Sequence, residues 1–295
     1  MPQRRNAGHT IDITMKIEFF GLALLMAACA STSTSEIAGG GFYQDVSWSP
    51  DSKRIAYSRM RDNAWSVFVA KRDGSDERRV SPEGTNATWT AWSPDGRQLA
   101  YASGSKGQVD IFAVPLFPSG PARNITADGQ SNSAPSWSPD GKKIVFASRH
   151  SGKSHLYIID ADGTHLRALT AGDANDWNPQ WSSDGQRILF YSDRLGKNDV
   201  VCTIAPDGSN ETVLTSPTVP AIYPGWSDRQ SIVFAQEGKI MLLSAEGGIT
   251  PLNRDGFFAR IAPNSRWIAI IEGKYPTSRI SISPLPQNYF SAPKS

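Results

Sequence analysis

The stretch WSPDG, Trp137 to Gly141, also stands at Trp92 to Gly96, with near copies WSPDS from Trp48 and WSSDG from Trp181. The step from Trp48 to Trp92 is 44 residues, the next is 45 and the next 44. Another 45 reaches Trp226, in the eroded copy WSDRQ. A further 35 reaches Ile261, in IAPNSRWIAI, where Ile stands in the place of Trp. A fixed period of roughly 40–45 residues marks a repeat architecture, and four-stranded propeller blades have that length.

The third copy shows what one repeat builds. It reads APSWSPDGKKIVFASRHSGKSHLYIIDADGTHLRALT. A short run ends on Trp137. KKIVFAS and SHLYIID follow, rich in β-branched and aromatic residues, and HLRALT comes after the turn ADG. No apolar period of helical length interrupts them, so the repeat predicts four strands in a row. RIAYS, QLAYA, RILFY and SIVFA supply the second strand of the other copies. In Ser-Pro-Asp-Gly, Pro139 presets φ, Asp140 can bond its own backbone and Gly141 tolerates positive φ. The motif is therefore a tight hairpin between the first and second strands, and the Trp before it is a wedge between blades. The expected fold is all-β: a six-bladed β-propeller of four-stranded antiparallel blades.

This layout puts the tight hairpins on one face of the disc. The longer, more varied connections, such as SRMRDNAW, SRHSGKSH, SDRLGKND and AGDANDWN, lie on the other. Loops on a rigid scaffold are where binding usually sits, so the loop face and its channel mouth are the expected site.

The chain has 30 basic and 28 acidic residues, a net charge of +2, which gives nucleic-acid binding no support. MKIEFFGLALLMAAC begins at Met15 with a Lys and an apolar core too short to span a bilayer. Residues 1–28 are expected to be an upstream extension plus signal peptide, with Met15 as the start. Ala27-Ala28-Cys29 resembles a bacterial lipoprotein signal, in which Cys29 becomes the lipidated residue. Ala30 in place of Asp then implies the outer membrane. Residues 29–41 are expected to be a flexible tether, 42–285 the propeller, and 286–295 a tail or ring-closing strand. The sixth copy lacks a clear fourth strand, which either EIAGGGFY or PQNYFS could supply. Cys202, in DVVCTI, reads as a buried strand residue.

The repeats WSPDGKKIVFAS…LYIIDADG…LRALT and WSSDGQRILFYSDRLGKNDV resemble the TolB-type propeller repeat across roughly residues 42–285. The resemblance implies a periplasmic, non-catalytic scaffold that binds an envelope protein. Only about a dozen residues separate Cys29 from the first repeat, so it implies TolB-like blades without the α/β domain of TolB.

Chemistry was sought in the motifs. No G-x-S-x-G occurs, and Ser103-Gly-Ser-Lys106 falls in a loop. His150, His155 and His165 lack zinc-site spacing. No catalytic residue, metal ligand or cofactor is expected, although a polar channel could take a cation. Partner-binding candidates at the channel mouth are Asp45, Asn86, Asn132, Asp173, Asp176, Trp177, Asn178, Tyr223, Arg149 and Arg194. They suggest an acidic centre within a basic rim that includes Arg59 and Lys197, set against the plainer reading of a solvated loop surface. The alternative function is a glycan-binding or lyase- or hydrolase-type propeller acting on cell-wall or extracellular polysaccharide, with Trp177 and Tyr223 as sugar platforms.

Overall fold

The computed structural model describes residues 34–37, 41–105, 107–150, 152–227, 230–274, 277–286 and 289. The expected signal segment and Cys29 lie outside them. Among the described residues there is no α-helix, and the strands form six four-stranded antiparallel sheets. The first blade is Phe42–Trp48, Arg54–Arg61, Ala64–Lys71 and Arg78–Arg79, paired in that order. Four more blades repeat it, starting from Ala87–Trp92, Asn132–Trp137, Asp176–Trp181 and Ile222–Trp226. The expected all-β six-bladed propeller is the observed fold.

The sixth blade closes the ring. Phe258–Ile261, Trp267–Lys274 and Thr277–Pro284 are joined on the outside by Ser35–Ile37 from the N-terminal side. Ser35 pairs with Ile282 and Ile37 with Ile280. Of the two segments able to supply the fourth strand, the N-terminal one does so, and part of the expected tether is a strand. The reason is an edge: without it, Thr277–Pro284 would present unpaired backbone groups to solvent.

WSPDG makes one network wherever it occurs. Ser138 Oγ donates to Asp140 Oδ1 at 2.6 Å, Lys142 N to the same oxygen at 3.0 Å, and Lys143 N to Ser138 Oγ at 2.9 Å. The Ser–Asp bond recurs at 2.6 Å in Ser49–Asp51, Ser93–Asp95 and Ser182–Asp184. Gly141 has φ +71°, and a Cβ there would lie 3.3 Å from Pro94 of the preceding blade. Gly96 faces Pro50 and Gly185 faces Pro139 in the same way. The hairpins of blades 2, 3 and 4 thus each rest on the one before.

The core is six seams rather than one centre. Trp92 packs with Ala56, Val67 and Val69 of blade 1, and Trp137 with Ala100, Ile111 and Ile125 of blade 2. Trp48 joins Ile271, Ile280 and Ile282 of blade 6 and Ile37 of its closing strand. Trp181, Trp226 and Ile261 fill the equivalent seams. The Trp residues are therefore wedges between blades, as their large apolar rings require. Trp48 Nε1 also donates to Arg260 O of blade 6 at 2.9 Å, and Trp226 Nε1 to Gln180 O of blade 4 at 3.3 Å. On the rim, Arg78 and Arg123, 45 residues apart, bond carbonyls of the next blade: Leu116 O at 3.2 Å, and Ala161 O and Asp162 O at 2.6 and 2.9 Å.

Candidate functional site

The innermost strands carry a local irregularity that builds the channel. Three residues before the repeat Trp, the pairing with the second strand slips in blades 2 to 5. Trp89, Ala134, Asn178 and Tyr223 hold that position with φ between +49° and +58°. A bulge adds a residue and re-aims its side chain, and a Trp or Tyr in the left-handed region is costly backbone. Rings from three blades meet there. Trp89 lies 6.1 Å from Tyr223 and 6.3 Å from Phe258, and Tyr223 lies 5.5 Å from Phe258, centroid to centroid.

Above this aromatic floor lies a cavity of about 320 Å³. Its walls run from the floor residues past the repeat Trp residues to the hairpin residues Ser183, Ser227 and Pro263. It therefore occupies the hairpin half of the channel, whereas the sequence reading placed the site at the loop end. One residue before each Trp, the wall is Ser47, Ala91, Ser136, Gln180 and, in blade 6, Arg260; Gly225 holds the same place in blade 5. A second cleft, about 410 Å³, opens between blades 4 and 5 beside Trp226, Leu214 and Leu243.

Arg260 is buried, and burial pulls its guanidinium down to about 9, with Asp45 acting in the opposite sense. Asp45 is buried as well. It accepts from Trp89 N at 3.0 Å, Thr90 N at 2.7 Å, Thr90 Oγ1 at 2.7 Å and Ser58 Oγ. This carboxylate ties blade 1 to the bulge of blade 2.

The other expected site residues do not converge. Asn178 borders the cavity and its Nδ2 reaches Pro224 O at 3.4 Å. Asn132 is buried, donating to Thr126 Oγ1 and Asp128 Oδ1 at 3.1 and 2.8 Å. Asp176 is buried and paired with Arg194 Nη2 at 2.7 Å, while Arg194 also meets Glu211. Arg59, expected in the basic rim, is buried and grips Glu77 at 3.0 and 3.1 Å. Trp177 stacks on Tyr191 at 5.3 Å, and Tyr191 meets the edge of Tyr223 at 5.5 Å. Asn86, Arg149 and Asp173 are exposed on separate loops. The reason is physical: a polar residue at a strand entry satisfies its own blade before it can face a ligand. Arg260 and Gln180 escaped the reading. Their only sequence signal is a long polar side chain where the other repeats place Ser, Ala or Gly.

Among the described residues, no three His, Cys, Asp or Glu side chains stand close enough to hold a metal ion. His150, His155 and His165 each bond separate partners: Asp128 at 3.1 Å, Gly172 O at 3.0 Å and Asp160 at 2.9 Å. Cys202 is buried, and burial pushes its thiol up to about 11.

Residues 118–244 match the family model described as TolB beta propeller domain. Over 68 residues, 23% of each chain, the protein is 35% identical to the uncharacterized protein Atu1656 of Agrobacterium fabrum. Among solved structures, TolB from Acinetobacter baumannii superposes with a TM-score of 0.65 at 23% identity, over 79% of this chain and 64% of that one. A putative TolB from Agrobacterium tumefaciens gives 0.58 at 20% identity, over 85% and 78%. An oligogalacturonate lyase in complex with manganese gives 0.58 at 15%, over 86% and 78%. At these identities the structural likenesses are of fold. With the six closed blades they make the chain a six-bladed β-propeller, of which residues 118–244 match the TolB propeller model.

Proposed function

We propose that this protein is a non-catalytic interaction scaffold of the bacterial cell envelope. It is exported to the periplasm, held at the outer membrane by a lipid on Cys29, and binds a protein partner through its channel. The observation that carries the reading is the cavity: about 320 Å³, floored by Trp89 and Phe258 and walled by indoles and prolines. Rigid aromatic pockets of this size are where binding energy concentrates. The repeat likeness to TolB and the apolar run before Cys29 support the location.

The test is capture from cell envelopes with crosslinking. Ala91→Phe, which fills the cavity, should abolish capture of the partner, while Arg149→Glu with Asp173→Lys on the loop face should leave it. The opposite pattern would move the interface to the loops. Cys29→Ala should release the protein from membranes, and wild-type protein that takes up no labelled palmitate would refute the anchor. The likeness to oligogalacturonate lyase raises a glycan reading. Turnover of an oligouronide by the purified chain would replace the scaffold with an enzyme.

A further inference from the structure

The channel holds a cation at a place where four of the other five repeats have a small side chain. Arg260 stands where the other five blades have Ser47, Ala91, Ser136, Gln180 and Gly225. Its side chain is fixed on every side. Nη1 donates to Ala259 O at 2.8 Å and to Tyr223 O at 3.1 Å. With the Gln180 amide oxygen turned toward it, Nε and Nη2 donate there at 2.7 and 3.0 Å. Its guanidinium carbon lies 4.1 Å from the centre of the Phe258 ring. Gly225 makes the room, since a Cβ there would stand 3.1 Å from both Cδ and Nη1 of Arg260.

Every one of these acceptors is neutral. Among the described residues, no carboxylate lies within ion-pair distance of Arg260. Asp45 acts on it only through space, and its two oxygens are already occupied by Ser58, Trp89 and Thr90. A buried charge without a paired, hydrogen-bonded counter-charge is expensive. A guanidinium has five N–H groups; four are held, and one on Nη2 remains at the cavity wall.

We propose that Arg260 anchors a carboxylate-binding site in the hairpin half of the channel. One fixed cation calls for a singly charged anion, and the free Nη2 N–H offers one charge-assisted hydrogen bond to a carboxylate oxygen. The rest of the wall specifies the remainder of the ligand. Trp89 lends aromatic surface, Pro135 and Pro179 lend apolar surface, and the volume admits one compact group beside the carboxylate. The carboxylate can belong to a free small acid or to an acidic side chain of a bound peptide. The site extends the channel reading above but does not require a protein partner.

The purified full chain would be titrated calorimetrically with benzoate, with N-acetyl-glutamate α-amide as the peptide form, with galacturonate, and with benzamide, N-acetyl-glutamine α-amide and inorganic phosphate as controls. One carboxylate should bind with 1:1 stoichiometry and its neutral amide at least tenfold more weakly. Arg260→Met should lose at least tenfold in affinity, and Arg260→Lys should recover part of it, which a purely structural Arg260 would not require. If Arg260→Met does not fold, Ala91→Phe gives the second arm: it keeps the cation, fills the cavity and should also abolish binding. Preference among the three acids identifies the source. No carboxylate binding to wild type, equal binding of acid and amide, tighter binding of phosphate, or undiminished binding to a folded Arg260→Met or Ala91→Phe variant would each overturn the site. Failure of the titration with success of the envelope capture would leave the scaffold standing without the anion.

Discussion

A single serine shows why the hairpin is repeated so closely. Ser138 Oγ gives its proton to Asp140 and accepts from Lys143 N, so one hydroxyl closes both ends of the turn. Ser138→Ala should cost about 1 kcal/mol, the usual net worth of such bonds, measured by urea unfolding. The Ser hydroxyl first, and the backbone N–H two residues on second, hold Asp95, Asp140 and Asp184 below the ordinary value of 3.8. Folded values below unfolded ones give stability that is present above pH 3.8 and lost as pH falls below it. Melting temperatures from pH 6 to pH 2 should therefore fall, and fall less steeply in a Ser93→Ala, Ser138→Ala, Ser182→Ala variant. The wedges can be ranked as well. Trp137 is buried and Trp226 only half-buried. Trp137→Ala should cost roughly 3–5 kcal/mol and Trp226→Ala less; equal shifts in calorimetric melting would refute the order.

Among elements, the closing strand carries the most consequence for its size. Ser35–Ile37 is three residues long, yet Ile37 is buried in the seam between blades 6 and 1 and touches the space above Gly74. Ile37→Ala should cost about 2–5 kcal/mol, read as a lower urea midpoint, although the residue belongs to no recognisable repeat. That is why it was half legible. The sixth copy visibly lacked a strand, but three residues are too few for alternation to choose between the two chain ends. The second strands were fully legible, because RIAYS, KKIVFAS and RILFY carry their own β-branched and aromatic pattern. The bulge before each Trp was not, since Trp89 and Tyr223 with positive φ contradict local preference and are fixed only by the ring around them.

For the whole molecule, the disc was written in the spacing and the site was not. Period and turn chemistry determine how many blades there are and which hairpins share a face. They do not say which residues point down the axis, because that depends on a one-residue slip in each innermost strand. Asp45 and Asn178 were found because they are polar residues in the segments that enter the innermost strands. Asp176 and Arg194 were drawn in by their charge, yet they satisfy each other inside blade 4. Arg260 was passed over because it stands at the far end of an innermost strand, away from the loops and strand-entry segments that the reading favoured.

The hairpin ring has a direction and a gap. Gly96, Gly141 and Gly185 each lean on the proline behind them, like links fastened in one sense around a bracelet. Blade 5 has neither the proline nor the glycine, and the cleft beside Trp226 opens where its link would lie. Three of the six junctions are fastened in this way, and the junction of blades 4 and 5, with Ser183 for the proline and Gln230 for the glycine, is the one beside the cleft. Under native-state hydrogen exchange, the amides of Ile222–Trp226 should exchange before those of Asn132–Trp137. Building the link with Ser183→Pro and Gln230→Gly together should slow them to the rate of their neighbours.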